Sequence, residues 1–169
     1  KLPFVVKPND QGSTVGLSIV QSHKGIKSAI EKAFQYGEEV IIEKFIAGKE
    51  LTIPIVGSTV LPVVEIKPSN EFYDYECKYT PGMSKYVCPA ELDSSIVSLI
   101  ESNTNTLFEA FGCSVYARAD YILDNSGQVY FLEMNTLPGM TSTSLVPKSA
   151  NASGIAFVEL ISNIINLSL

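Results

Sequence analysis

Residues 114 to 135, SVYARADYILDNSGQVYFLEMN, constrain the fold more than any other stretch of this chain. Two β-rich runs, 114–123 and 128–135, flank Asp124-Asn125-Ser126-Gly127, whose residue types make a hairpin turn. Strand side chains alternate faces, so Arg118 and Asp120 lie on one face of the first strand. On the second strand Glu133 and Asn135 share a face, which strict alternation also gives to Phe131 and Val129. A tight turn pairing Leu123 with Gln128 sets Arg118 opposite Glu133, with Asp120 diagonal to it. A register two residues further on sets Asp120 directly opposite Glu133. Under either register two carboxylates and an amide gather beside an arginine. Neighbouring acids repel unless a cation lies with them, and Mg²⁺ takes carboxylate and carbonyl oxygens. The plainer readings are a solvated edge strand or an Arg118–Glu133 salt bridge; the salt bridge leaves Asp120 and Asn135 unexplained.

The rest of the chain supplies a core for this hairpin. With 169 residues, 46% of them apolar and 18% charged, the composition is that of a globular protein of one domain or two small lobes. A net charge of −6 argues against a nucleic-acid binder. No apolar run is long enough for a bilayer. Three cysteines without CxxC spacing read as reduced thiols. His23, the sole histidine, leaves no multi-histidine metal site.

Along the chain, Leu2 to Val6 reads as a strand ending at Lys7-Pro8, followed by the polar loop NDQGSTVG at 9–16. Ile26, Ala29, Ile30, Ala33 and Phe34 recur at helical spacing over 24–36, with Ser22 as N-cap and Gly37 as stop. Strands are expected at 39–46, 50–57 and 59–66, joined by short turns that suggest antiparallel neighbours. Residues 67–91 show neither period and read as a long loop, a feature usually functional or disordered. Asp93 to Gly112 brackets a helix with Ile96, Leu99, Ile100, Leu107, Phe108 and Phe111 on its apolar face. After the hairpin, 136–152 reads as a loop. A last helix from about Gly154 carries Phe157, Leu160, Ile161, Ile164 and Ile165.

Because Mg²⁺ is commonly held by one or two carboxylates together with substrate phosphates, a phosphate cradle is the natural complement. NDQGSTVG fits, since backbone N–H groups of a Gly-rich turn bind anions, although it matches neither a Walker loop nor GxGxxG. Lys7 and Lys78 add cationic groups for phosphate.

Taken together, VVKPNDQGSTVG, IIEKFIAGKELT, FYDYECKY, ARADYIL and FLEMNTLPGMTSTSLVPK resemble the ATP-grasp ligases and, within them, the D-alanine–D-alanine ligase family. The segments stand in family order and at family spacing through nearly the whole chain. The resemblance implies an α+β ATP-grasp fold of mostly antiparallel sheets flanked by helices. Residues 1–41 would be part of a small nucleotide-binding lobe, and 42–169 a C-terminal lobe with a lid loop at 67–91. It also implies that the chain, which opens KLPFVVKP without an initiator Met, is a fragment lacking an N-terminal domain and nearly inactive alone.

The implied reaction is ATP-dependent joining of two D-alanines through an acyl-phosphate, for peptidoglycan precursor synthesis in the cytoplasm. The partners would be ATP, D-alanine and two Mg²⁺ ions, Mn²⁺ being a possible substitute, with no nucleic acid or membrane, in a homodimeric full-length protein. Lys7 would contact nucleotide phosphates and Lys78 the terminal one. Glu43, Lys44 and Ile46 would lie at the adenine, Glu50 at the ribose, and Phe131 at the nucleotide. Asp120, Glu133 and Asn135 would hold the metal ions. Arg118 and the backbone at Gly139 would stabilise the reacting centre, and Ser144 and Leu145 would place the second D-alanine. Ser13 and Tyr79 would meet to hold the long loop shut. Tyr79 stands where D-lactate-using relatives carry histidine, which points to an amine nucleophile. Gln11, Thr14 and Met140 depart mildly from the family pattern. The alternatives are another ATP-grasp carboxylate–amine ligase, such as a D-alanine–D-serine ligase, or a non-catalytic domain of the same fold.

Overall fold

The computed structural model describes residues 1–68, 84–141 and 143–169. The chain divides into a first unit whose continuous part is Lys1–Ala47 and a second made of Gly48–Lys67 and Lys85–Leu169.

In the first unit β1 (Phe4–Pro8) lies between β2 (Ser18–Val20) and β3 (Val40–Lys44), antiparallel to both. The expected helix is shorter than its period suggests: a 3-10 turn at His23–Gly25 leads into α1 (Ile26–Ala33). Ser22 is extended and makes no side-chain cap bond. Ala29 and Ala33, one turn apart and both buried, bring α1 close to Val6 and Val20. Phe34 falls beyond the helix and is exposed.

The second unit is a six-stranded sheet centred on β4 (Gly48–Val56). β6 (Val64–Pro68) pairs one side of β4 and β8 (Tyr116–Asp124) the other. β9 (Val129–Asn135) borders β8, β7 (Ser84–Val87) borders β6, and β5 (Thr59–Val60) pairs the end of β4. The two faces of β4 go to different cores. Leu51, Ile53 and Ile55 pack with Ala117, Ala119 and Tyr121 under Ile100 and Phe108 of α2 (Ser94–Ala110). Val56, of the opposite parity, packs with Val146 and Ala150 of α3 (Leu145–Ala152) and Leu160 of α4 (Phe157–Ser168).

Several expectations change in the structure. β3 and β4 do not pair with each other, because β3 zips along β1 through Lys44, across the expected lobe boundary at 41/42, while β4 joins the second sheet. The run 59–66 splits around Pro62, which has no N–H for a ladder. Part of the 67–91 loop is strand, β6 reaching Pro68 and β7 covering Ser84–Val87. The expected loop 136–152 contains α3, with Ser144 in the extended N-cap conformation and Pro147 in the first turn, where its missing N–H costs no helical bond. Leu99, Phe111, Phe157 and Ile165 are exposed rather than core. Among the described residues no single helix is long and apolar enough to cross a membrane. Cys88 and Cys113 are free thiols; Cys77 lies outside the described residues.

One buried polar pair joins α2 to the sheet. Thr104 donates to the Ile100 carbonyl at 2.7 Å, which leaves its oxygen to accept the Tyr121 hydroxyl at 3.0 Å. Burial pushes the Tyr121 hydroxyl pKa up, against the lowering effect of this bond. Replacing Thr104 by Val keeps the shape and strands a buried phenol. Thr104→Val is therefore expected to cost about 1–3 kcal/mol in urea unfolding; unchanged stability would show that the Tyr121 hydroxyl finds water.

Candidate functional site

The register of the β8–β9 hairpin decides where the polar side chains go. Its turn is tied by Asp124, whose Oδ1 accepts the Ser126 N–H at 2.8 Å, the Ser126 hydroxyl at 2.6 Å and the Gln128 N–H at 3.0 Å. The Ser126 hydroxyl, and next the Gln128 N–H, hold this carboxyl below the usual range. Leu123 then pairs with Val129 and Tyr121 with Phe131, one residue away from the tight register. Between Tyr121 and Asp120 the ladder shifts by one more residue. Leu132 is the extra, unpaired residue of this β-bulge, and it is exposed. Past the bulge Asp120 stands opposite Glu133 and Arg118 opposite Asn135, so at this end the two-residue shift is the register found.

The bulge also resets which side chains share a face. Phe131 and Met134, three residues apart, both pack against the α2 core, Phe131 with its ring 5.6 Å from that of Tyr121. Strict alternation had set Phe131 and Val129 beside Glu133; instead both face the core. Phe131, expected at the nucleotide, is therefore a core contact of α2's face. Glu133 and Asn135 take the opposite face, with Asp120 and Arg118. Glu50 and Thr52 of β4 share that face, being paired with Ile122 and Asp120.

Asp120 is the hub of this face. Arg118 grips it with two bonds, Nε to Oδ1 at 2.9 Å and Nη2 to Oδ2 at 2.8 Å. Asn135 Nδ2 donates to Oδ2 at 2.9 Å and to Glu133 Oε1 at 3.3 Å. Thr52 donates to Oδ1 at 2.5 Å. The ion pair of Arg118 is thus with Asp120 on its own strand rather than the Arg118–Glu133 bridge considered from sequence. Among the described residues no group of three or more His, Cys, Asp or Glu forms. What converges is two carboxylates and an amide, which here turns its N–H to both acids and would present its oxygen there once flipped. That set fits a hard cation whose coordination is completed by water or phosphate.

Beyond β9 the chain turns over Ser144. The Ser144 hydroxyl lies 2.9 Å from Thr141 Oγ1 and accepts the Thr141 N–H at 3.0 Å. A Cβ at Gly139 would come within 2.9 Å of the same hydroxyl, so the backbone at Gly139 passes where only glycine fits without a shift. Leu145 begins α3 and is buried.

In the first unit Lys7 donates to Glu43 Oε1 at 2.8 Å across the β1–β3 pair, both side chains being partly exposed. Lys44 is exposed, and Ile46 is half-buried in the link to β4. The loop after β1 is anchored by Gln11 on the Tyr36 carbonyl at 2.8 Å and by Asn9 on Glu39 at 2.8 Å. Within it Ser13 and Thr14 both take left-handed φ, 54° and 60°. Two successive non-glycine residues in that region, one of them β-branched, are strained, and such strain concentrates where a loop has a job. Lys78 and Tyr79, expected at the terminal phosphate and against Ser13, lie outside the described residues.

Two sheets, the second carrying an oxygen-rich face beside an arginine, make up the ATP-grasp fold that solved relatives share. A D-Ala:D-Ser ligase from Enterococcus faecalis, VanG, superposes with a TM-score of 0.89 at 35% identity, over 100% of this chain and 50% of that one. A D-alanine–D-alanine ligase from Bacillus anthracis superposes with a TM-score of 0.86 at 40% identity, over 99% and 54%. Residues 1–166 match the family described as D-ala D-ala ligase C-terminus, and the chain belongs to that family. The D-alanine–D-alanine ligase of Methylacidiphilum infernorum is 47% identical over 166 residues, 98% of this chain and 55% of that protein. That of Halalkalibacterium halodurans is 43% identical over 172 residues, 99% and 56%. The chain spans about half the length of the curated relatives it matches.

Two features escaped the sequence. The bulge at Leu132 has no glycine to announce it, and Thr52 looks like any β-branched strand residue; its only signal is a polar side chain inside the apolar run LTIPIV. Deleting Leu132 removes the parity reset and turns Glu133 and Asn135 toward the α2 core. The deletion is expected to weaken Mn²⁺ binding by about 10-fold or more, whereas Leu132→Ala, at an exposed position, leaves it within about twofold. Equal Mn²⁺ affinity in the deletion, measured by isothermal titration, would mean that the bulge does not orient these groups.

Proposed function

We propose that this chain carries the metal-binding and acyl-transfer part of an ATP- and Mg²⁺-dependent D-alanine–D-alanine ligase. The single observation that carries the reading is the shared face of Asp120, Glu133 and Asn135 next to Arg118, in a chain of this family. ATP phosphorylates the carboxylate of one D-alanine. The amine of the second attacks the acyl-phosphate carbon, the C–O bond to phosphate breaks, and inorganic phosphate leaves as the amine loses a proton.

Asp120, Glu133 and Asn135 would hold Mg²⁺, which when bound offsets charge on the phosphates. Arg118 supplies a fixed cation for the oxygen that gains charge at the reacting carbon. The Gly139 backbone lies close to Ser144, so a donor there can face the same oxygen while Ser144 and Leu145 orient the second substrate. In the first unit Lys7, held by Glu43, meets nucleotide phosphate together with the strained loop at 9–16, and Glu43, Lys44 and Ile46 meet the adenine. Glu50 meets the ribose. Lys78 meets the terminal phosphate, and Tyr79 meets Ser13. In the intact protein this reading implies a cytoplasmic homodimer supplying a cell-wall dipeptide.

A D-alanine–D-serine ligase is the second reading, favoured by the likeness to the Enterococcus faecalis D-Ala:D-Ser ligase. The test is phosphate release from Mg-ATP by the intact protein, with D-alanine alone and with D-alanine plus D-serine, D-lactate or L-alanine. D-alanine alone is expected to drive release, and Asp120→Ala to reduce it by at least about 100-fold, the scale of losing a charge-stabilising group. Release only when D-serine is added would select the second reading, and none with any acceptor would refute both.

A further inference from the structure

We infer that Thr52 is a positioning residue for the metal site, its hydroxyl pinning one oxygen of Asp120 so that the other is presented to the cation. The inference rests on the metal reading of Asp120 given above. Oδ1 accepts from Thr52 Oγ1 at 2.5 Å and Arg118 Nε at 2.9 Å; Oδ2 accepts from Arg118 Nη2 at 2.8 Å and Asn135 Nδ2 at 2.9 Å. Arg118 and Asn135 have work elsewhere in the proposed reaction, one at the reacting carbon and one at the cation. Both must loosen their hold on Asp120 as ligands arrive. Thr52 has no other assignment, so its bond is the one that can persist throughout.

Its setting supports that role. Thr52 lies in the middle of the central strand, directly opposite Asp120 in the β4–β8 register, and is fully buried. A β-branched side chain on a strand has a restricted χ1, so the hydroxyl direction is set by the backbone. The competing account is that a buried hydroxyl takes the nearest acceptor for its own sake. The Ala119 carbonyl is within reach at 3.3 Å, yet the hydroxyl sits 0.8 Å closer to the carboxylate (3.3 less 2.5 Å). Carboxylates that bind metal are themselves oriented by hydrogen bonds, and losing such a partner commonly weakens metal affinity 10- to 100-fold. With Oδ1 held from the buried side by Thr52, the carboxylate cannot swivel. Oδ2 then stays on the side of the Asn135 amide and the Glu133 carboxylate.

The test is a Mn²⁺ titration of the intact protein in the presence of ADP, on Thr52→Ser, Thr52→Val and Thr52→Ala, with Asp120→Asn as reference. A pinning hydroxyl ranks the affinities Ser above Val and Ala. Ser is expected within about twofold of the unaltered protein, and Val and Ala about 10- to 100-fold weaker. Metal-free melting should rank them differently, Val being the best packed, so loss of fold and loss of metal separate. In kinetics Val should raise the Mg-ATP concentration needed for half-maximal rate, and Ser should restore it. Affinity that follows packing, with Val like the unaltered protein and Ser like Ala, would overturn the inference while Asp120→Asn still abolishes binding. If Asp120→Asn itself binds Mn²⁺ normally, the metal reading falls and this inference with it.

Discussion

A strand of period two cannot line a core along its length and end in a cluster of polar side chains on the other face unless it changes parity, and β9 changes parity at Leu132. Before the bulge Val129 and Phe131 serve the core under α2; after it Met134 serves the same core while Glu133 and Asn135 turn to the other side. Without the extra residue, either Met134 would leave the core or the two polar groups would enter it. Burying a carboxylate there without a partner costs several kcal/mol, on the order of the whole stability of a domain. The rest of the second unit follows from this placement. The β8 partner must carry Arg118 and Asp120 in its first half, and β4 must bring a buried donor to meet them.

The electrostatics of the face then explain its residue types. Asp120 carries three donor residues on its two oxygens, one of them a guanidinium with fork geometry. Glu133 stands opposite it with an amide between. In this arrangement Arg118 is the counter-charge of Asp120. In the proposed reaction a divalent cation between the two carboxylates would supply the same counter-charge, and the guanidinium would then be free to face a negative centre. One arginine would thus serve twice under that proposal, as the partner of Asp120 in this structure and as a cation for the reacting centre.

Much of this was legible in the sequence where the signal is local. Asp124-Asn125-Ser126-Gly127 announced the hairpin, and the alternation of Arg118 and Asp120 against Ala117, Ala119 and Tyr121 announced β8 and its two faces. What failed needed tertiary information. The tight Leu123–Gln128 pairing was one residue off because Asp124 lengthens the turn with its own side chain. Val129 and Phe131 were placed on the face of Glu133 because strict alternation cannot know of a bulge. Residues 145–152 look irregular in sequence because Pro147 reads as a breaker, yet in the first turn of a helix it is harmless. Phe34 and Phe111 fit a helical period but lie past the last helical turn and stay exposed, Phe111 touching the edge of the core at Phe131. The loop at 9–16 was legible as Gly-rich; that its left-handed residues include Ser13 and Thr14 as well as Gly16 was not.

The most direct measurement is the position of the metal. Crystals of the intact protein grown with Mn²⁺ and ADP, with diffraction recorded at the manganese edge, would give an anomalous peak. The expected peak lies at metal–oxygen distance, about 2.0–2.2 Å, from oxygens of Asp120, Glu133 and Asn135, with Arg118 withdrawn from at least one of its two bonds to Asp120. A manganese ion bound elsewhere, with Arg118 still holding both oxygens of Asp120, would contradict the proposal that β9 resets its parity to build a metal site.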